Sequence, residues 1–413
     1  MSHCPRVLLV SWALPPEPAG SAIIVDNLSR AFTREEMLLA GKMPSTGLAP
    51  ERDPDLPPIA AVQGPGTWSF AGRGLHQLAL LRTPSLISRL VKLIRREHCE
   101  AVIAVYPDAA FLFAAWMAAR STQVRLYPYF HNTFLESRRT RSLRVFAAWL
   151  QPRVFRDAAH VFTMSAGMSA LYDRLYPGQF PHSPLVHSFV EAIPPYREPV
   201  MNAEPVLAFS GNANPSCLEA TRRLCAAIGE MPDVRLRFFT SASEAELVAA
   251  GVWTANAERT YLPRAKLIPA LSACDVLLLP HGFTGSFHPI EYQTIFPTKT
   301  IEYLISGRPI LAHTPPGVYL TQFLREWDCA LVVDTPELAA VREALHRLLT
   351  EAPLRARLVR NALKAAEQFY LPRVAAHLRE IVAAANHGNF GKNDKWQPRN
   401  SPRNAGSVRT RSL

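Results

Sequence analysis

Lys299 and Glu302 stand three residues apart in the stretch Pro297-Thr-Lys-Thr-Ile-Glu-Tyr-Leu-Ile-Ser-Gly-Arg-Pro-Ile-Leu311, and together they suggest anion and sugar binding. A proline before the first turn and a glycine past the last predict a short helix opening after Pro297 and stopping at Gly307. A buried strand, Pro309 to Ala312, follows. The first N–H groups of such a helix are unpaired near Thr298 and Lys299, and a lysine ammonium beside them suits a phosphate or diphosphate. Glu302 shares a face with Thr298, where its carboxylate can accept hydrogen bonds from two neighbouring hydroxyls, as on a ribose. The same spacing also fits a Lys299–Glu302 ion pair on an ordinary amphipathic helix.

Two further side chains suit proton or hydrogen-bond chemistry. Asp108 follows one strand (Ala101 to Val105, ending at Tyr106-Pro107), and His131 follows the next (Val124 to Tyr129). Groups at the ends of neighbouring strands can face one cleft, so both are candidate catalytic residues, with His131 suited to a sugar hydroxyl or a developing phosphate charge. A structural histidine with its bonds satisfied is the alternative. Gly20 and the pair Gly211-Asn212 lie in loops after strands, where a backbone without a side chain can approach a phosphate. The six cysteines have no zinc-like spacing and read as reduced thiols of a cytosolic protein. Asp53-Pro54-Asp55 lies in a proline-rich loop (Pro44 to Pro58) and reads as solvated, so no metal site is expected.

These residues need strands and helices to hold them. Strand, small-residue loop and helix recur twice, at residues 7–32 and at Val206 to Ile228, which predicts two doubly wound α/β halves. A chain of 413 residues, 48% of them hydrophobic, can bury two sizeable cores. Val7 to Leu14 reads as a first buried strand rather than a signal peptide, because prolines and Glu17 follow it directly. The six prolines of 177–204 mark a linker without periodicity, and Pro263 and Pro269 are expected to limit 262–271 to short turns. His281 to Phe296 reads as a loop.

Pro297, Lys299, Glu302, Tyr303, Gly307, Pro309 and Ile310 fit P-x-K-x-x-E-Y-x-x-x-G-x-P-[IV], and Ala273-Cys-Asp-Val-Leu-Leu-Leu-Pro280 fits a strand pattern before it. Both resemble the C-terminal domain of retaining glycosyltransferases of family 4, which have the GT-B fold. The resemblance covers roughly residues 6–386. It implies two Rossmann-like domains facing a central cleft: an acceptor-binding domain over 1–185, a linker over 186–204 and a nucleotide-sugar domain over 205–372. A helix over 373–386 crosses back to the first domain. It also implies that Glu302 binds the donor ribose, that the backbone before it holds the diphosphate, and that no metal or other cofactor is needed. In the implied retaining mechanism the leaving diphosphate oxygen takes the acceptor proton. The sequence departs from the family at Thr294, where a second glutamate is usual (Glu291 lies close by), and at Tyr106, where a histidine is usual. Asn212 and Asn214 occupy a loop that often carries an arginine and a lysine, and Arg222 and Arg223 lie further along the helix.

The expected activity is therefore metal-independent transfer of a hexosyl group from a nucleotide sugar to a glycan or lipid-linked acceptor, as in cell-surface polysaccharide synthesis. A non-catalytic nucleotide or sugar binder and a sugar-nucleotide epimerase on the same fold are the alternatives. The net charge of +11 includes a surplus of five in residues 387–413, a tail of Asn, Gly, Ser and Pro expected to be disordered. Six arginines in 136–156 flank apolar residues, a pattern that suits either peripheral contact with the inner face of a membrane or a surface helix whose stripe meets the core. No apolar run reaches spanning length, no nucleic-acid recognition motif occurs, and a cytoplasmic protein is expected.

Overall fold

The computed structural model describes residues 5–15, 17, 20–42, 53–62, 83–137 and 141–384. The expected disorder of the tail therefore lies outside the described residues. The first sheet comprises β1 (Val7–Ala13), β2 (Met37–Lys42), β3 (Ile59–Ala61), β4 (Ala101–Tyr106), β5 (Arg125–Phe130), β6 (Val161–Thr163) and β7 (His182–Pro184). Its helices are α1 (Gly20–Ser29), α2 (Thr83–Arg96), α3 (Ala109–Thr122), α4 (Arg141–Asp157) and α5 (Ala166–Leu175). The second sheet comprises β8 (Val206–Ser210), β9 (Arg235–Phe239), β10 (Ala257–Thr260), β11 (Val276–Pro280), β12 (Ile310–His313) and β13 (Leu331–Val333). Helices α6 (Leu218–Gly229), α7 (Glu244–Ala249), α8 (Arg264–Ser272), α9 (Pro289–Thr294) and α10 (Lys299–Ile305) accompany it. So do α11 (Tyr319–Glu326), α12 (Leu338–Thr350), α13 (Ala352–Ala366) and α14 (Leu371–Ala384).

Every strand pairing is parallel, in the orders β3-β2-β1-β4-β5-β6-β7 and β10-β9-β8-β11-β12-β13. Parallel strands covered on both faces need apolar side chains on both, which explains the unbroken runs in β1, β4, β8 and β11. Strand order reverses between β1 and β4 and again between β8 and β11. At each reversal the loops from the strands' carboxyl ends diverge and leave a crevice. Gly20, Asp108, His131 and Gly211 all follow such ends.

Several elements differ from the sequence expectation. The proline-rich 177–204 contributes β7, whose register Val161↔His182 extends the first sheet. Its prolines are tolerated because it is a three-residue edge strand ending at Pro184. Nine residues form α8 despite Pro269, and Leu267, Ile268 and Leu271 give that helix an apolar anchorage in the core. The stretch read as the loop His281 to Phe296 contains α9, opened by Pro289 behind an His288 cap. Nothing in the periodicity of 109–122 announces α3, because its alanines, Phe111, Leu112 and Trp116 are buried around most of its circumference. Among the described residues no helix is long and apolar enough to cross a membrane.

The chain passes between the lobes twice. Outward, the buried carboxylate of Asp275 pins the chain before β8: it accepts from Asn202 N (2.8 Å), Asn202 Nδ2 (2.8 Å) and Val206 N (2.6 Å). Returning, α14 buries Val374, Ala375 and Leu378 against Ile24, Val25 and Leu28 of the first lobe, and Arg379 pairs with Glu36 at 3.0 Å. The two passages meet where Phe189 and Tyr370 form a single bridge. Asp275→Ala strands the buried Val206 N–H and removes both bonds from Asn202, and urea unfolding should read a loss of about 3 kcal/mol. A loss below about 1 kcal/mol would show that the carboxylate does not hold this passage.

Candidate active site

The second lobe supplies a cation and a carboxylate. Tyr303 Oη accepts from Ser210 N (2.9 Å) and Ser210 Oγ (3.2 Å), which fixes α10 beneath the end of β8. Gly211 then turns with φ +81°, and a Cβ there would come within 3.8 Å of Lys299 Nζ. That ammonium lies 3.8 Å from the centre of the Phe209 ring. Part of the lysine reaches solvent, but Nζ itself is enclosed and makes no hydrogen bond. Burial lowers its pKa, against the opposing influence of Cys217 and Glu302. One turn on, Glu302 Oε1 meets Arg264 Nη2 at 3.4 Å. Burial raises the carboxyl pKa, and Arg264 works in the opposite direction. Asn212 adjoins this group, its Oδ1 accepting from Thr240 Oγ1 at 2.7 Å. Thr298 opens α10 with no hydrogen bond from its side chain to the helix end.

The first lobe supplies a histidine. His131 Nδ1 lies 3.0 Å from Ser21 Oγ, next to Gly20 at the start of α1, where an added Cβ would meet open space. Its ring stands edge-on to Tyr129 at 4.3 Å, and its Nε2 is enclosed without a partner. His187, in the outward passage, packs against the stacked pair Phe296 (5.9 Å) and Phe369 (6.2 Å) and lies against the backbone of Thr298. Burial lowers the pKa of His131 to about 3, with the neighbouring His187 as second cause. The same burial takes His187 to about 4, with Thr298 opposing and Arg264 assisting. Both rings are therefore neutral at pH 7. His187 links the histidine of one lobe to the first turn of α10 in the other.

Sequence reasoning placed Gly211, Lys299 and Glu302 together, and the structure does so. It also joins His131 to Gly20 through Ser21. Asp108 Oδ1 accepts from Ala110 N (2.9 Å) and Phe111 N (3.0 Å), so it caps α3, a structural role the sequence did not announce. Thr294 Oγ1 bonds back to Ile290 O (3.2 Å) in its own helix, while its carbonyl receives Ser165 Oγ (2.9 Å) from the other lobe. Tyr106 is core, packed on Phe134 at 4.7 Å. Arg223 does reach the edge of the second sheet, where Nε lies 2.8 Å from His313 Nε2 and the guanidinium covers Phe283 at 4.7 Å. Arg222 turns instead to Ala250 O (2.7 Å). Sequence reasoning missed His187, Arg264 and Ser21, whose partners lie far along the chain and carry no local pattern. Asp53 accepts from its neighbour Asp55 N in an exposed turn. Among the described residues no group of three or more His, Cys, Asp or Glu could hold a metal.

No protein-family model and no curated protein sequence matches the chain. Solved structures do. Sucrose-phosphate synthase from Thermosynechococcus elongatus superposes with a TM-score of 0.69 at 13% identity, over 92% of this chain and 100% of that one. HepE from Anabaena, solved with UDP, gives 0.67 at 13% identity over 92% and 100%. An α,α-trehalose-phosphate synthase (UDP-forming) from Burkholderia xenovorans, solved with glucose-6-phosphate, gives 0.61 at 13% over 91% and 100%. The chain has the α/β GT-B architecture of these proteins: two Rossmann-like lobes.

The buried histidines tie stability to pH. The unfolded chain binds their protons near pH 6.5, whereas the folded chain binds them only near pH 4 and pH 3. Stability therefore falls as the pH drops from 6.5 towards 4. Melting temperatures measured across that range should decline less steeply in His187→Gln than in the unaltered protein. Equal slopes would mean that His187 is not held neutral by burial.

Proposed function

We propose that the protein is a glycosyltransferase that moves a sugar from a nucleotide diphosphate to a hydroxyl-bearing acceptor in the cleft. The observation that carries this reading is the enclosed, unpartnered ammonium of Lys299 beside Gly211, one turn from a carboxylate. An anion with hydroxyls one turn away complements that arrangement, and a nucleoside diphosphate is such a ligand. In this reading Lys299 and the backbone of Gly211 and Asn212 receive the diphosphate, with Thr298 beside them. Glu302 exchanges Arg264 for the ribose hydroxyls. The neutral His131, accepting from Ser21 at Nδ1, presents Nε2–H as a donor to a sugar or acceptor hydroxyl. The bond from the sugar's anomeric carbon to the diphosphate breaks and a bond to the acceptor oxygen forms on the same face. The departing phosphate oxygen takes the acceptor's proton.

Nucleotide binding without transfer is the second reading. Thr294 favours it, because a side chain bonded back into α9 offers the transferred sugar no carboxylate.

Calorimetric titration with UDP, GDP and ADP separates these ideas. One nucleotide should bind, and Glu302→Ala should weaken it by about 1–3 kcal/mol through loss of the ribose bonds. No binding by any of the three would overturn both readings. Binding without release of labelled sugar to any acceptor or to water would select the second.

A further inference from the structure

The first lobe carries an exposed aromatic surface that the cleft does not use. On α4, Ala147, Leu150, Val154 and Phe155 face the core, while Val145 and Trp149, one turn apart, face outward with 65% and 41% of their surface exposed. The core stripe expected of this helix is thus present, and a second apolar stripe runs along its opposite side. Trp149 is not isolated. Its ring lies 6.0 Å from Phe146 and 6.0 Å from Phe113, the latter half-buried on the adjacent α3. Single exposed apolar side chains are ordinary, but a joined aromatic group across two helices is a surface that water solvates poorly.

The rim of this surface is basic. The Arg153 guanidinium covers the Trp149 ring at 4.8 Å, Arg120 covers the neighbouring Trp116 ring at 5.3 Å, and Arg144 and Arg156 are exposed on α4. Asp157, an acid at the end of α4, is engaged by Arg120, Arg156 and Trp116 Nε1. Arginines around an indole match a boundary where phosphates lie above hydrocarbon, because the ring enters the acyl region while the cations stay among the head-groups. We infer that the α3–α4 face docks on an anionic bilayer, with Val145 and Trp149 inserted and the arginines on lipid phosphates. The loop carrying His131 is tied to the same helix, through Leu135 N donating to Gln151 Oε1 (2.9 Å) and Gln151 Nε2 donating to Glu136 Oε1 (2.7 Å). A docked molecule would hold the mouth of its cleft beside the head-groups, within reach of a lipid-linked acceptor. The docking stands independently of the transfer chemistry.

The test uses the full chain and sedimentation with vesicles, either equimolar phosphatidylglycerol and phosphatidylcholine or phosphatidylcholine alone. Binding should be confined to the anionic vesicles and weaken with salt. The double variants Val145→Ser/Trp149→Ser and Arg144→Gln/Arg153→Gln should each lose about tenfold in affinity while keeping the melting temperature. Brominated acyl chains should quench indole fluorescence in the unaltered protein and quench it less in Trp149→Phe. Absence of binding would overturn the inference. So would full binding by the Val145/Trp149 variant, which would place the attraction elsewhere, as on the basic tail. A dimer that this variant dissolves would assign the face to a second copy of the chain.

Discussion

Everything in the cleft depends on how two separately cored lobes are held at one spacing. Each lobe buries its own sheet, and the joints are two passages of chain that touch at Phe189 and Tyr370. His187 and Ser188 immediately precede that bridge. Asn27 on α1 donates to the Ser188 carbonyl, and His187 lies against Thr298. The joint is thus also the place where polar groups of the two halves approach each other. Ser165 to the Thr294 carbonyl makes a second crossing, and Gly167 a third: a Cβ at that glycine would come 2.5 Å from Tyr319. Small residues and hydroxyls stand where the lobes meet because side chains of ordinary size would separate them.

The alternation of buried runs with small-residue loops, repeated after residue 205, made the two-lobed α/β architecture legible. The motif around Lys299 was legible because proline, helix and glycine punctuate a local structure, and spacing along one helix fixes which groups share a face. What escaped reading was contact between distant segments. Arg264 meets Glu302 from another helix, Ser21 meets His131 from the far end of the lobe, and His187 sits in a stretch that looked like bare linker. Asp108 shows the converse limit. A carboxylate after a strand is equally suited to catalysis and to capping the next helix, and only the positions of Ala110 N and Phe111 N reveal the cap.

Ground-state electrostatics in the cleft are arranged unevenly. Glu302 has a cationic neighbour in Arg264, so its charge is partly balanced before any ligand arrives. His131 and His187 are kept neutral by burial, with His187 adding to the effect at His131 and Arg264 at His187. The Lys299 ammonium is enclosed against an aromatic face with no hydrogen-bonded partner. Its charge is stabilised by the Phe209 ring and by more distant acids, a weaker arrangement than a direct pair.

The enclosed ammonium sets folding and occupancy against each other. A methionine of similar length would fill the space beneath Gly211 and rest on Phe209 with no charge to desolvate, so stability alone favours it. An anion in the cleft reverses the preference, because it supplies the counter-charge that the protein withholds. Burial of this ammonium is a local cost that, in the proposed function, the bound diphosphate would offset. In the proposed function, position 299 is half of an ion pair whose other half is the diphosphate.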